Sequence, residues 1–159
     1  MLWKDFVQVQ LIEAIDQSKT SWVEFNSKKF ILNVIYGYNE GYDRKKLWTH
    51  LRSIHNSVSN GPWLLAGDFN IIADTSESSP FNSFYATSND MRDFEDVRNN
   101  IFVYDHAFIS PLFTWTNKHQ KGFMARKLDR VMINDACHLV LHIVWLNFFH
   151  QKCRIIVQL

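Results

Sequence analysis

The apolar run Trp63-Leu64-Leu65-Ala66 stops abruptly in Gly67-Asp68-Phe69-Asn70, and this junction constrains the chain more than any other stretch. Apolar residues in a row, without polar alternation, describe a strand covered on both faces. Such a strand needs neighbours on each side and layers above and below it, so the fold must be built around a sheet. Gly67 lets another backbone or a ligand come close. Asp68 and Asn70 are two apart, which puts them on one side of an extended chain. Two readings fit. In one, the carboxylate takes a proton from water while the amide holds a phosphate oxygen or the carboxylate itself. In the other, the strand simply runs into an Asx-turn.

The rest of the 159 residues supplies about one domain's worth of neighbours. Phe6 to Ile12 and Ser21 to Phe25 alternate in part and read as strands, and the more continuously apolar Phe30 to Tyr36 reads as an inner strand. Between 46 and 58 the period changes: Leu47, Leu51, Ile54 and Val58 fall at helical spacing, and Gly61-Pro62 stops the helix. Residues 74 to 89 read as a polar loop, and Asp90 as the cap of a helix with Met91, Phe94 and Val97 inside. Further strands are expected at 113–116, 128–133, 142–149 and 155–159. A hairpin tip with Gly122 is expected over 117–125, and a short helical turn after Asn134-Asp135. This order predicts an α/β (α+β) layered fold on two mixed sheets rather than a regular βαβ alternation.

Charge and composition exclude several classes. With 17 basic and 16 acidic side chains the net charge is +1, so this is not a globally basic DNA-coating protein. The apolar stretch Leu139 to Phe149 is too short to span a bilayer, and no signal peptide is visible; a soluble intracellular protein is expected. Cys137 and Cys153 cannot form a disulfide scaffold and read as small buried hydrophobes.

Other residues invite chemistry, each with a plainer reading beside it. Asp129 sits among apolar strand residues, between Leu128 and Val131, and a carboxylate buried there needs a partner. That partner belongs either to a functional site or to a structural salt bridge. Tyr36-Gly37-Tyr38-Asn39 closes an inner strand; its phenol suits an anion, and its Gly and Asn equally suit a turn. His138 and His142 have a helical metal spacing but no acidic partner. Lys118, Lys121, Arg126, Lys127 and Arg130 make a basic stretch that fits either a DNA groove or a solvated loop.

Taken in order, Val34-Ile35-Tyr36-Gly37-Tyr38-Asn39, the 63–70 segment, Phe113-Thr114-Trp115-Thr116-Asn117 and Lys127-Leu128-Asp129-Arg130-Val131 resemble the endonuclease/exonuclease/phosphatase superfamily. The wording is most similar to endonuclease domains of plant non-LTR (LINE-type) retrotransposon polyproteins, from about Trp3 to Leu159. The resemblance implies a DNase I-like four-layer α/β sandwich, incomplete at its front, that hydrolyses DNA phosphodiesters with Mg²⁺ in the nucleus. By motif match Asp68 would orient or deprotonate the attacking water, Asn70 would position it, and Asp129 would hold the catalytic histidine. Tyr36 and Asn39 would bind the phosphate region. Thr114 and Trp115 would lie at the DNA-contacting edge, with a groove-probing hairpin carrying Lys118 and Lys121, and Arg126 beside it.

The departures from the family carry an expectation of their own. On this alignment the chain begins after the family's early Asn and its metal-binding Glu. His150-Gln151-Lys152 stands where the family has Ser-Asp-His, so a metal-binding Asp becomes Gln151 and a catalytic His becomes Lys152. A neutral amide is a weak ligand for a hard cation, and a protonated lysine cannot stand in for a neutral imidazole. The resemblance thus implies a family Mg²⁺ that this chain does not hold, and little or no cleavage. The alternatives are a non-catalytic nucleic-acid-binding module and an unselected retroelement remnant.

Overall fold

The computed structural model describes residues 7–25, 27–58, 61–79, 87–106, 113–119 and 121–137. The expected strands at 142–149 and 155–159, His138, His142, Cys153 and the 150–152 triplet lie outside them. Nine strands and two helices are described: β1 (Val7–Ile15), β2 (Ser18–Phe25), β3 (Lys28–Tyr36), α1 (Gly41–Val58), β4 (Trp63–Asp68), β5 (Ser78–Ser79), α2 (Asn89–Asn100), β6 (Tyr104–Asp105), β7 (Trp115–Thr116), β8 (Ala125–Arg126) and β9 (Asp129–Ile133). The main sheet has the order β1-β2-β3-β4-β9-β6, and a small second sheet has the order β5-β8-β7. In the main sheet only β3 and β4 pair in parallel, joined by the crossover helix α1. Its other pairings are antiparallel, so the sheet is mixed as expected.

The helices form because their apolar residues recur along one stripe. On α1 these are Leu47, Trp48, Leu51, Ile54 and Val58, and on α2 Met91, Phe94 and Val97. Both stripes cover one face of the main sheet, where alternate strand residues Ile31, Ile35, Trp63, Leu65 and Met132 join them in one core. Trp48 stacks on Phe94 at 5.4 Å between ring centres, fastening the two helices together. On the other face Leu32, Val34, Leu64 and Val131 are half-buried. No described helix is long and apolar enough to cross a membrane.

Several sequence expectations are corrected. Helix α1 begins at Gly41 rather than near Lys46, with Asp43 in its first turn at the positive end of the helix dipole. The cap of α2 is Ser88, whose hydroxyl accepts from the Met91 N–H at 3.2 Å; Asp90 lies inside the first turn and pairs elsewhere. The polar 74–89 segment contains a short 3-10 turn, Thr75–Glu77, followed by β5. Asp129 is exposed as the first residue of β9, and its neighbour Arg130 is the buried one. The parity of the strand explains this: Leu128, Arg130 and Met132 face inward together. The turn after Asn134 and the buried Cys137 are as expected, with Asn134 Oδ1 accepting from the Cys137 N–H at 2.9 Å.

Candidate functional site

The strand register brings three of the expected residues into one row. Tyr36, the last residue of β3, pairs with Asp68, the last of β4, and Asp68 pairs with Asp129, the first of β9. Directly paired residues leave a sheet on the same face, so a phenol and two carboxylates share one end of one face. Tyr36 is 55% exposed and Asp129 is exposed, whereas Asp68 is partly covered. Gly67 makes the close approach of β3 and β4 possible: its φ is +138°, and any Cβ there would collide with the Ile35 carbonyl oxygen. The close neighbour that this glycine admits is therefore backbone.

Asp68 is held by a turn and disturbed by a charge. Its Oδ1 accepts from the Asn70 N–H at 2.8 Å, an Asx-turn. Burial pushes the Asp68 carboxyl above its ordinary range, the Asn70 N–H pulls it back, the Asp129 charge pushes it up again, and Arg44 lowers it. The net direction is upward, which makes this carboxylate more basic than an ordinary aspartate.

Asn70 does not continue the strand. Its φ is +51°, and its side-chain amide turns back to donate to the Gly37 carbonyl at 2.7 Å. The same-side argument for Asp68 and Asn70 fails because β4 ends at Asp68. What joins them is the turn, which ties the end of β4 to the loop after β3. Gly37 N–H donates to the Asp68 carbonyl at 2.7 Å, closing the link from the other direction. Asn39 is exposed in that same loop.

The hairpin stands beside the row. Trp115 and Arg126 are cross-strand partners in the second sheet, and both are exposed. Asn117 organises the tip: it donates to the Gly122 carbonyl at 2.8 Å and accepts from the N–H groups of His119 and Met124. Lys118 and Lys121 stand at this exposed tip rather than in the row. The Thr114 hydroxyl accepts from the Leu128 and Asp129 N–H groups at 3.0 Å each, joining the hairpin to the strand end that carries Asp129.

Sequence reasoning missed two buried arginines. Arg44 is 2% exposed and donates to backbone carbonyls of Tyr38, Asn39 and Asn70. Arg130 is 3% exposed, pairs with Glu77 and Asp105, and lies 5.4 Å from the Phe94 ring centre. Both could have been found: Arg44 falls on the apolar stripe of its helix, and Arg130 on the inward parity of its strand.

Magnesium takes six oxygens, often from one or two carboxylates completed by water and phosphate. Asp68 and Asp129 offer two carboxylates, one of whose oxygens is already engaged by Asn70. Among the described residues no group of three or more His, Cys, Asp or Glu side chains comes together as a metal site. The described residues therefore offer a cation at most the two carboxylates of this row.

The architecture defines a DNase I-like fold. No family model matches the sequence, and no curated protein matches it. Among solved structures, the endonuclease domain of TRAS1, a telomere-specific non-LTR retrotransposon, matches with a TM-score of 0.62 at 7% identity, over 80% of this chain and 56% of that one. TDP2 from Caenorhabditis elegans matches at 0.52 and 12% identity, over 82% of this chain and 42% of that one. A β-hairpin deletion mutant of Staphylococcus aureus beta toxin matches at 0.50 and 18% identity, over 76% and 44%. The chain spans about half the length of the structures it matches.

Proposed function

We propose that this chain is part of a DNA endonuclease domain of the non-LTR retroelement kind, that it contacts DNA phosphates, and that as given it does not cut DNA at a useful rate. The observation that carries this reading is the in-register row Tyr36–Asp68–Asp129 at one end of the main sheet. A phosphate approaching that end meets the exposed Tyr36 phenol and the Asn39 loop. Asp68, more basic than usual, is placed to take a proton from water; Asn70 fixes its orientation through the Asx-turn. Burial raises the Asp68 carboxyl most, and the Asp129 charge adds to it. Thr114 sets the hairpin against this end, where Trp115, Lys118, Lys121 and Arg126 present aromatic and cationic surface to the duplex. A nuclear place of action follows from a DNA substrate.

In the family Mg²⁺ supplies charge for phosphodiester hydrolysis. In this chain Gln151 and Lys152 stand where the alignment expects an aspartate and a histidine, and losing groups that act as a unit removes most of a rate at once. The test is incubation of supercoiled plasmid with Mg²⁺ or Mn²⁺. The expected result is no nicked product; nicking that disappears in Asp68→Ala would overturn the inactivity. Binding is tested separately with a duplex oligonucleotide, where affinity should fall as salt rises, and an affinity indifferent to salt would overturn the phosphate contacts.

A further inference from the structure

We infer that Arg44 is a positioning residue for this phosphate-facing end: one buried guanidinium sets the spacing between the loop carrying Asn39 and the loop carrying Asn70. The inference rests on the DNA reading above. Nη1 of Arg44 donates to the carbonyls of Tyr38 at 2.6 Å, Asn39 at 2.8 Å and Asn70 at 2.9 Å. Nη2 reaches the Asp90 carboxylate on α2 at 3.1 Å. A single planar group therefore gathers the loops after β3 and β4 and anchors both to a helix. Lysine, with one nitrogen, cannot reach both sides of this arrangement.

The surroundings agree. The Gln17 side chain accepts from the Tyr38 N–H at 2.8 Å and donates to the Asp43 carbonyl at 3.0 Å, bracing the same loop against the start of α1. A Cβ on Gly37 would lie 2.7 Å from the Phe69 carbonyl oxygen, so the two loops are already at closest approach. Asn70 holds a φ of +51°, a conformation that needs external support in a non-glycine residue. Taking a guanidinium out of water is costly. All three carbonyls it holds belong to loops of the candidate site. Arg44 itself is too buried to touch a phosphate.

The experiment compares wild type, Arg44→Lys, Asp90→Asn and Lys118→Ala by thermal melting, duplex affinity at several salt concentrations, and amide hydrogen exchange. Arg44→Lys should bind about tenfold more weakly per folded molecule with an unchanged salt slope, because no phosphate contact is lost. Asp90→Asn should show a smaller loss of the same kind, and it carries the test if the lysine variant does not fold. Lys118→Ala should flatten the slope. Wild-type affinity in a folded variant, or a slope reduced by one contact, overturns the inference. If wild type itself binds no DNA, the DNA reading fails, and the positioning role is decided by exchange alone. The Gly37 and Asn70 amides should then exchange at least about tenfold faster in the Arg44 or Asp90 variant while the Met124 amide in the hairpin does not change. Unchanged exchange at Gly37 and Asn70 overturns it.

Discussion

Asp68 and Asp129 are direct cross-strand partners where β4 ends and β9 begins, so two carboxylates share one face of the sheet with no lysine or arginine among the described residues of that row. Burial and the Asp129 charge hold the Asp68 carboxyl above its unfolded range. A carboxyl raised by folding contributes its stability below its unfolded pKa and loses it as pH rises through the folded value. Asp68→Asn therefore stabilises the protein at neutral pH, since the amide oxygen still accepts the Asn70 N–H. The gain should fade as pH falls below the carboxylate range. Melting temperatures of both proteins across that range check it; a destabilised variant at neutral pH contradicts it.

A buried pair makes the opposite prediction. Burial alone would raise the Glu77 carboxyl, but its hydrogen bond to Arg130 and the Arg130 charge, helped by the Ala73 N–H and Lys127, bring it below the ordinary range. Its stabilisation is present above the unfolded pKa and lost as pH falls through the folded one. Arg130→Met leaves Glu77 and Asp105 without this cation and should cost about 3–5 kcal/mol. The double variant Arg130→Met/Glu77→Leu should recover part of that loss, measured by urea unfolding. If the double variant is less stable than the single, the pair is not the cause.

Much of this fold was legible because its elements are locally consistent. The uninterrupted apolar run of β4, the four-residue spacing of α1 and the Gly122 hairpin each need only nearby residues to be read. The row Tyr36–Asp68–Asp129 was legible residue by residue through the family resemblance. Its alignment depends on strand register, which no local pattern fixes. Asp129 was misplaced for a physical reason: in a strand of five residues, one step of parity exchanges inside and outside. The two buried arginines were missed because charge ordinarily marks a surface, and their partners lie 25 residues or more away at Asn70, Asp90, Glu77 and Asp105, apart from the nearby loop carbonyls. The one metal-ligand spacing in the sequence, His138 and His142, had no acidic partner beside it and lies outside the described residues.

Gly67 is fixed by two independent constraints, a φ of +138° and contact with the Ile35 carbonyl. Gly67→Ala should destabilise the domain by more than about 1 kcal/mol, since the substitution meets an incompatible conformation as well as a collision. It should also disturb the Tyr36–Asp68 pairing, seen as chemical-shift changes at the Gly37 amide. Gly122, with φ +70° but no atom within 4 Å of a built Cβ, serves as the control, and its alanine variant should lose less. Equal losses at both positions would mean that backbone conformation alone accounts for Gly67.

Divalent cations provide the last prediction. A site that binds the folded state and not the unfolded one stabilises by RT ln(1 + [L]/Kd), about 2.7 kcal/mol at a hundredfold excess over Kd. Asp68 and Asp129 supply two carboxylates, and the Asn70 N–H already occupies one Asp68 oxygen. Millimolar Mg²⁺ should therefore leave the melting temperature of this chain unchanged beyond the ordinary effect of ionic strength, matched with NaCl. If Mg²⁺ stabilises the wild type and the effect vanishes in Asp68→Asn, the row binds the ion, and the proposed loss of cleavage would need a cause other than an incomplete cation site.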